Sequence, residues 1–208
     1  MRRITKLIAL TAATLTLGMG VQADMQPGTA VVRQLEGSGT YVTEGGVERP
    51  LAVGVVLKEG DTVKTSADSW LHLLLPQNGP DVGLAPQSTL RFTKLQYQET
   101  ELGVVKQTLL DVPEGQIYGH VDTLVGDSKY QVRSPKGIAE VKGTDFYYDA
   151  KTGDIHVLSG QVFLTIIMDV TQENSIPPFG GDPSTLTFAK AVTVNAGLGD
   201  NVATTMVG

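Results

Sequence analysis

The residues with the best claim to chemistry are three histidines, His72, His120 and His156, set among many serines and carboxylates. An imidazole can hold a metal, move a proton or activate a hydroxyl, but each task needs partners at a defined spacing. The three stand far apart, and none has a His or carboxylate partner at a recognised metal-ligand spacing. They read as solvated or core-edge histidines. Serine chemistry fares no better: there is no G-x-S-x-G, and Ser159-Gly160 lies in a strand turn with no nucleophile elbow around it. Glycoside hydrolysis would need a pair of carboxylates. Many of the acids (Asp61, Asp127, Asp154, Glu44, Glu59, Glu114) instead flank glycines, where they suit hydrogen bonds to turn N–H groups.

Two further patterns resemble binding loops and fall short. Gly37-Ser38-Gly39 lacks the later glycine and the helix that would present its N-terminus to a phosphate. The run Asp149 to Asp154 has too few oxygen ligands for a calcium loop and reads as a β-turn. No catalytic, cofactor-binding or metal-ligating residue is assigned. Trp70, the single tryptophan, is expected in the core.

The elements that would position any such residues are strands. The chain has 208 residues, enough for one domain, with 41% hydrophobic and 6% aromatic content, so its core must be mainly Val, Leu and Ile. The 24 glycines fit many turns between short strands, and the absence of cysteine leaves packing alone to hold the fold. At 70–75, Leu71, Leu73 and Leu75 share one side and Trp70, His72 and Leu74 the other, which predicts a strand near the centre of the sheet. Further strands are expected at 30–35, 40–43, 82–84, 89–93, 95–98, 103–112, 117–121, 129–133, 138–148, 155–158 and 161–168. Gly45-Gly46 marks a hairpin. No long window shows amphipathic helical spacing, so almost no helix is expected after the first 23 residues.

Residues 1–23 read as a signal peptide. Arg2, Arg3 and Lys6 precede an apolar stretch to Val21, and Val21-Gln22-Ala23 offers a cleavage site. Its apolar part is shorter than the roughly 20 residues of a spanning helix. Removing its three basic residues leaves 13 basic against 22 acidic. Such a domain is suited neither to nucleic acid nor to charge-driven adhesion to anionic lipid. The organisation expected is a leader at 24–29, one β-domain at 30–168, and a Pro/Gly-rich loop with a returning strand at 169–208. After the signal peptide is cut no transmembrane span remains. The protein is expected to be exported, in the periplasm or beyond the cell.

Two motifs stand out, Gly60-Asp61-Thr62-Val63-Lys64-Thr65 and Lys142-Gly143-Thr144-Asp145-Phe146, with Ser159-Gly160-Gln161 beyond them. Glycines at 60, 115, 160 and 197 each follow an apolar residue by three, and are expected to be tight turns joining strands. Gly60 and Gly143 would permit turns that a Cβ obstructs. Thr62, Thr65 and Thr144 would pin neighbouring backbone, and Phe146 would fill core. Asp61 and Gly160 belong to the same structural set.

In this order the motifs resemble the FecR domain family, named for the periplasmic part of an iron-citrate signalling regulator. The resemblance takes in 30–32, 57–65, 70–75, 82–90, 134–146 and 157–162, about 140 residues in all. It implies an all-β sandwich or roll, jelly-roll-like, with no enzymatic activity and no cofactor. It further implies an envelope or outer-membrane protein as partner. The family's founding member acts on a sigma factor through a segment across the membrane. Here a signal peptide stands in that place, so what carries over is an exported interaction or sensing module. An alternative is a carbohydrate- or wall-binding module stacking sugars on Tyr41, Tyr97, Tyr118, Tyr130, Tyr147 or Tyr148. A divergent hydrolase is the third reading.

Overall fold

The structure is a computed structural model that describes residues 24–170 and 186–195. The expected signal peptide and the 171–184 loop lie outside the described residues. Fifteen strands run in chain order: β1 (Gln26–Pro27), β2 (Ala30–Glu36), β3 (Gly39–Val42), β4 (Arg49–Pro50) and β5 (Val56–Leu57). They continue as β6 (Thr62–Thr65), β7 (Trp70–Leu75), β8 (Gly79–Leu84), β9 (Thr89–Thr100) and β10 (Gly103–Glu114). The last are β11 (Gln116–His120), β12 (Lys129–Ser134), β13 (Gly137–Asp149), β14 (Ile155–Val170) and β15 (Leu186–Asn195). The described residues contain no helix. The all-β class expected from alternation and glycine spacing is therefore what the structure shows, as one open mixed sheet.

The sheet order is β4-β3-β6-β9-β10-β12-β13-β11-β8-β7-β2-β5, with β1 on β9 and with β14 between β13 and β15. Neighbours are antiparallel except β10 and β12, which run parallel because β11 crosses over between them. β13 is the joint. Its first half (137–140) pairs with β12 and its second half (145–149) with β11, while β14 follows it along the other edge. The two halves of the sheet thus meet at one strand, and the ladder shifts register at 142–145, where they part.

The halves pack across a common core. Leu71, Leu73 and Leu75 of β7, with Val82 and Leu84 of β8, are fully buried on one side. Leu90, Phe92, Leu95, Leu110 and Tyr130 are fully buried in the other half. Full burial of each leucine contributes about 1.5–3 kcal/mol. Asn78, in the β7–β8 turn, reaches over to the opposite half. Its Nδ2 donates to Gln96 O at 2.8 Å and to Thr108 Oγ1 at 2.9 Å. That turn therefore ties the two halves of the sheet together.

Three expectations are corrected. Gly160 does not join two strands, because β14 runs unbroken from Ile155 to Val170. Gly143 is likewise inside β13, not in a turn. Trp70 is not a core residue but 48% exposed.

Candidate functional site

The motif residues read from the sequence fall into two structural clusters. In the first, Lys58 N–H donates to Asp61 Oδ2 at 2.8 Å and Asp61 N–H returns to Lys58 O at 3.1 Å, closing the turn before β6. Gly60, at φ +92°, donates its N–H to Phe92 O at 2.7 Å. Thr62 starts β6 and pairs with Val42 and Arg91. Thr65 is buried; its hydroxyl donates to Ala85 O at 2.7 Å and accepts from Ser88 N–H at 2.9 Å. It thereby clasps the 85–88 turn, which contains Gln87 at φ +53°.

The second cluster is the register shift between β13 and β14. Gly143 (φ +63°) and Gly160 (φ +81°) lie against one another, and a Cβ on Gly160 would sit 2.0 Å from Gly143 O. Thr144 is buried beside them and its carbonyl accepts from Val121 N–H at 2.9 Å, but its hydroxyl has no hydrogen-bond partner among the described residues, so it does not pin backbone as expected. Phe146 is buried with its ring over Gly119, where it supplies core area. These eight residues shape backbone; of their side chains only Thr62 is more than slightly exposed.

The chemistry-bearing residues gather elsewhere, on the outer face of β2, β7, β8, β11, β13 and β14. Antiparallel register lines up Gln34, His72, Gly83, Tyr118, Tyr147 and His156 in one row across the strands. Leu74, Asp81, His120, Asp145 and Ser159 form the next row. Outward-facing side chains in neighbouring strands meet at about 4.5–5.5 Å between Cβ atoms. The Tyr118 ring lies flat across Gly83, where a Cβ would stand 1.8 Å from Cζ. Only glycine gives the ring that seat. Trp70 flanks it, with ring centroids 6.3 Å apart at 53°. Tyr147 packs on His156 at 5.7 Å. Burial first, and then the Glu36 charge, hold the Tyr118 hydroxyl above its ordinary pKa.

Two histidines on this face have acidic partners. His72 Nε2 lies 3.2 Å from Asp81 Oδ1. His120 lies between two carboxylates, with Nδ1 2.6 Å from Asp145 Oδ1 and Nε2 3.4 Å from Asp122 Oδ1. The Asp145 hydrogen bond raises the His120 pKa above its ordinary value. Asp145 itself is held low, first by the Ser159 hydroxyl, which donates to Oδ2 at 2.6 Å, and then by His120. The serine proton is therefore directed at a carboxylate and not at the imidazole. A nucleophilic serine needs the opposite arrangement, with the imidazole taking its proton. Among the described residues no group of three or more His, Cys, Asp or Glu side chains could hold a metal ion.

Sequence reasoning missed this grouping because His120 and Asp145 are brought together only by β11–β13 pairing. The local spacing His120-x-Asp122 was a usable signal, since alternate strand residues share a face. The tyrosines sort sharply. Tyr130 and Tyr148 are fully buried, so neither can stack a sugar, whereas Tyr118 and Tyr147 belong to the outer face. The Asp149–Asp154 run is a hairpin turn in which Asp149 Oδ1 accepts from Lys151 and Thr152 N–H groups.

Fold and site together define a class, an all-β sheet module with structural motif turns and one outward aromatic–acidic face. Comparison adds a family: residues 61–163 match the family model described as FecR protein. The span runs from β6 into β14 and includes most of the outer face. That family points to a signalling-related periplasmic module. No curated protein and no solved structure matches the chain. Among the described residues no helix is long and apolar enough to cross a membrane.

Proposed function

We propose that this chain is an exported, non-catalytic FecR module that binds a protein partner in the cell envelope and relays a signal or scaffolds an assembly. The FecR domain at 61–163 carries the reading. It is supported by the exposed Trp70, a residue type that anchors protein interfaces. The test is affinity capture with tagged protein, residues 24–208, from a cross-linked envelope fraction, read by mass spectrometry. One dominant membrane or outer-membrane protein, depleted with a Trp70→Ala bait, is the expected result. Bait that captures no specific protein and stays in the insoluble wall fraction overturns it.

A second reading, a glycan- or wall-binding module, is favoured by one observation: Trp70, Tyr118 and Tyr147 share the outer face. It requires retention on peptidoglycan or polysaccharide that a Tyr147→Ala variant loses.

A further inference from the structure

Two shallow grooves meet on the outer face at His72 and Tyr118. The first, about 400 Å³, is lined by Gln34, Glu36, Trp70, Leu71, His72 and Tyr118. The second, about 450 Å³, adds Asp81, His120, Asp145, Tyr147 and Leu158. Neither lining contains lysine or arginine among the described residues. Arg33 sits one residue away, at the β2 register shift, and is not part of either.

Within the first groove Glu36 is directly opposite Trp70 in the β2–β7 ladder. Its carboxylate is exposed and oriented by the Gln34 amide, which donates to Oε1 at 2.8 Å. It has no cationic partner among the described residues. Asp81 and Asp145 differ, since each faces a histidine. An uncompensated carboxylate beside two ring faces is complementary to one chemistry above others. A cation sits favourably within about 6 Å of an aromatic centroid, and with the Trp70 and Tyr118 centroids 6.3 Å apart one cation can satisfy both. Arginine is also enriched at protein interfaces and pairs well with carboxylates.

We propose that this groove receives an arginine or lysine side chain of the protein partner, seated on the Trp70 and Tyr118 rings with Glu36 as its counter-charge. The inference rests on the protein-partner reading given above and adds the chemistry of the segment that docks. A sugar ring would use the aromatic faces but leave Glu36 without a counter-charge, and its binding would be nearly independent of salt.

Because Trp70 is the only tryptophan, its fluorescence reports directly on this groove. The full-length protein is titrated with a short Gly/Ser peptide carrying two arginines. Controls are the same peptide with glutamate in place of arginine and a chitin-type oligosaccharide. The expected result is a saturable change with the arginine peptide alone, weakened by salt. It should also weaken about fivefold or more in Glu36→Gln and in Tyr118→Leu, in line with a cation–π contact and one partly exposed ion pair. Both substituted side chains are on the outer face, and thermal unfolding of the variants checks that the fold is kept. No saturable change with the arginine peptide overturns the proposal. So does an equal response to the acidic peptide, or a response to the oligosaccharide alone. Envelope capture separates the two levels. If wild-type captures one specific protein and Glu36→Gln captures it equally, only the docking chemistry fails. If wild-type captures none, the function reading fails.

Discussion

The clasp and bulge residues and the outer face of β7–β8–β11–β13 belong to one sheet yet follow opposite rules. At Thr65, Gly143 and Gly160 every group is fixed by backbone hydrogen bonds or by contact too close for a side chain. On the outer face, Trp70 is half exposed and Glu36 has no ionic partner among the described residues. The contrast separates two kinds of sequence signal. Motifs that look distinctive along the chain are those that bend and join the sheet. Residues able to meet a partner are scattered in sequence and are gathered by strand register.

The contrast can be broken from either side. The largest effect is expected at the bulge. Gly160→Ala places a Cβ against Gly143 O in a left-handed conformation, and should lower stability by ~3 kcal/mol or more, read by denaturant unfolding. Thr65→Val should come next. It keeps the shape but strands the Ser88 N–H in a buried turn, a cost of about 1–3 kcal/mol by the same assay.

A smaller, pH-dependent effect is expected at His120. Folding raises its pKa, so its pairing contributes fully below the unfolded histidine value, ~6.5, and fades as pH rises through the folded one. Folding lowers the Asp145 pKa, so that contribution is complete above ordinary carboxylate values, about 4, and is lost as pH falls through the depressed one. His120→Asn should therefore be most destabilised relative to wild-type in the mildly acidic window and converge with it in alkali. Thermal unfolding across pH checks this, and a gap that stays constant would show that the pair does not titrate as described. Smallest of all is Trp70→Ala, which should change stability by no more than ~0.5 kcal/mol while abolishing capture of the partner. A large loss of stability there would mean that Trp70 belongs to the core after all.

Much of the architecture was legible in the chain. Alternation at Leu71, Leu73 and Leu75 gave β7 its buried side, and the structure buries all three. The same alternation put Trp70 on the side of His72, so the expectation of a core tryptophan ignored parity and followed residue type. Adjacent Tyr147 and Tyr148 carry the same lesson, since a strand can expose only one of such a pair. The glycines at 143 and 160 could not be sorted into turn or bulge without knowing that they face each other across two long strands. Nor could the outer face be read, because four separate ladders bring Glu36, Trp70, Tyr118 and Asp145 to one side.

The paired glycines also act on how the chain can misassemble. β13 and β14 are long, and without their bulge two such strands could slide by a residue or two and still form a full ladder. A slip of one would turn every inward side chain outward. Positive φ at 143 and at 160 fits only where the two irregular positions coincide. The longest hairpin among the described residues is thus keyed to a single alignment by two residues that have no side chains at all.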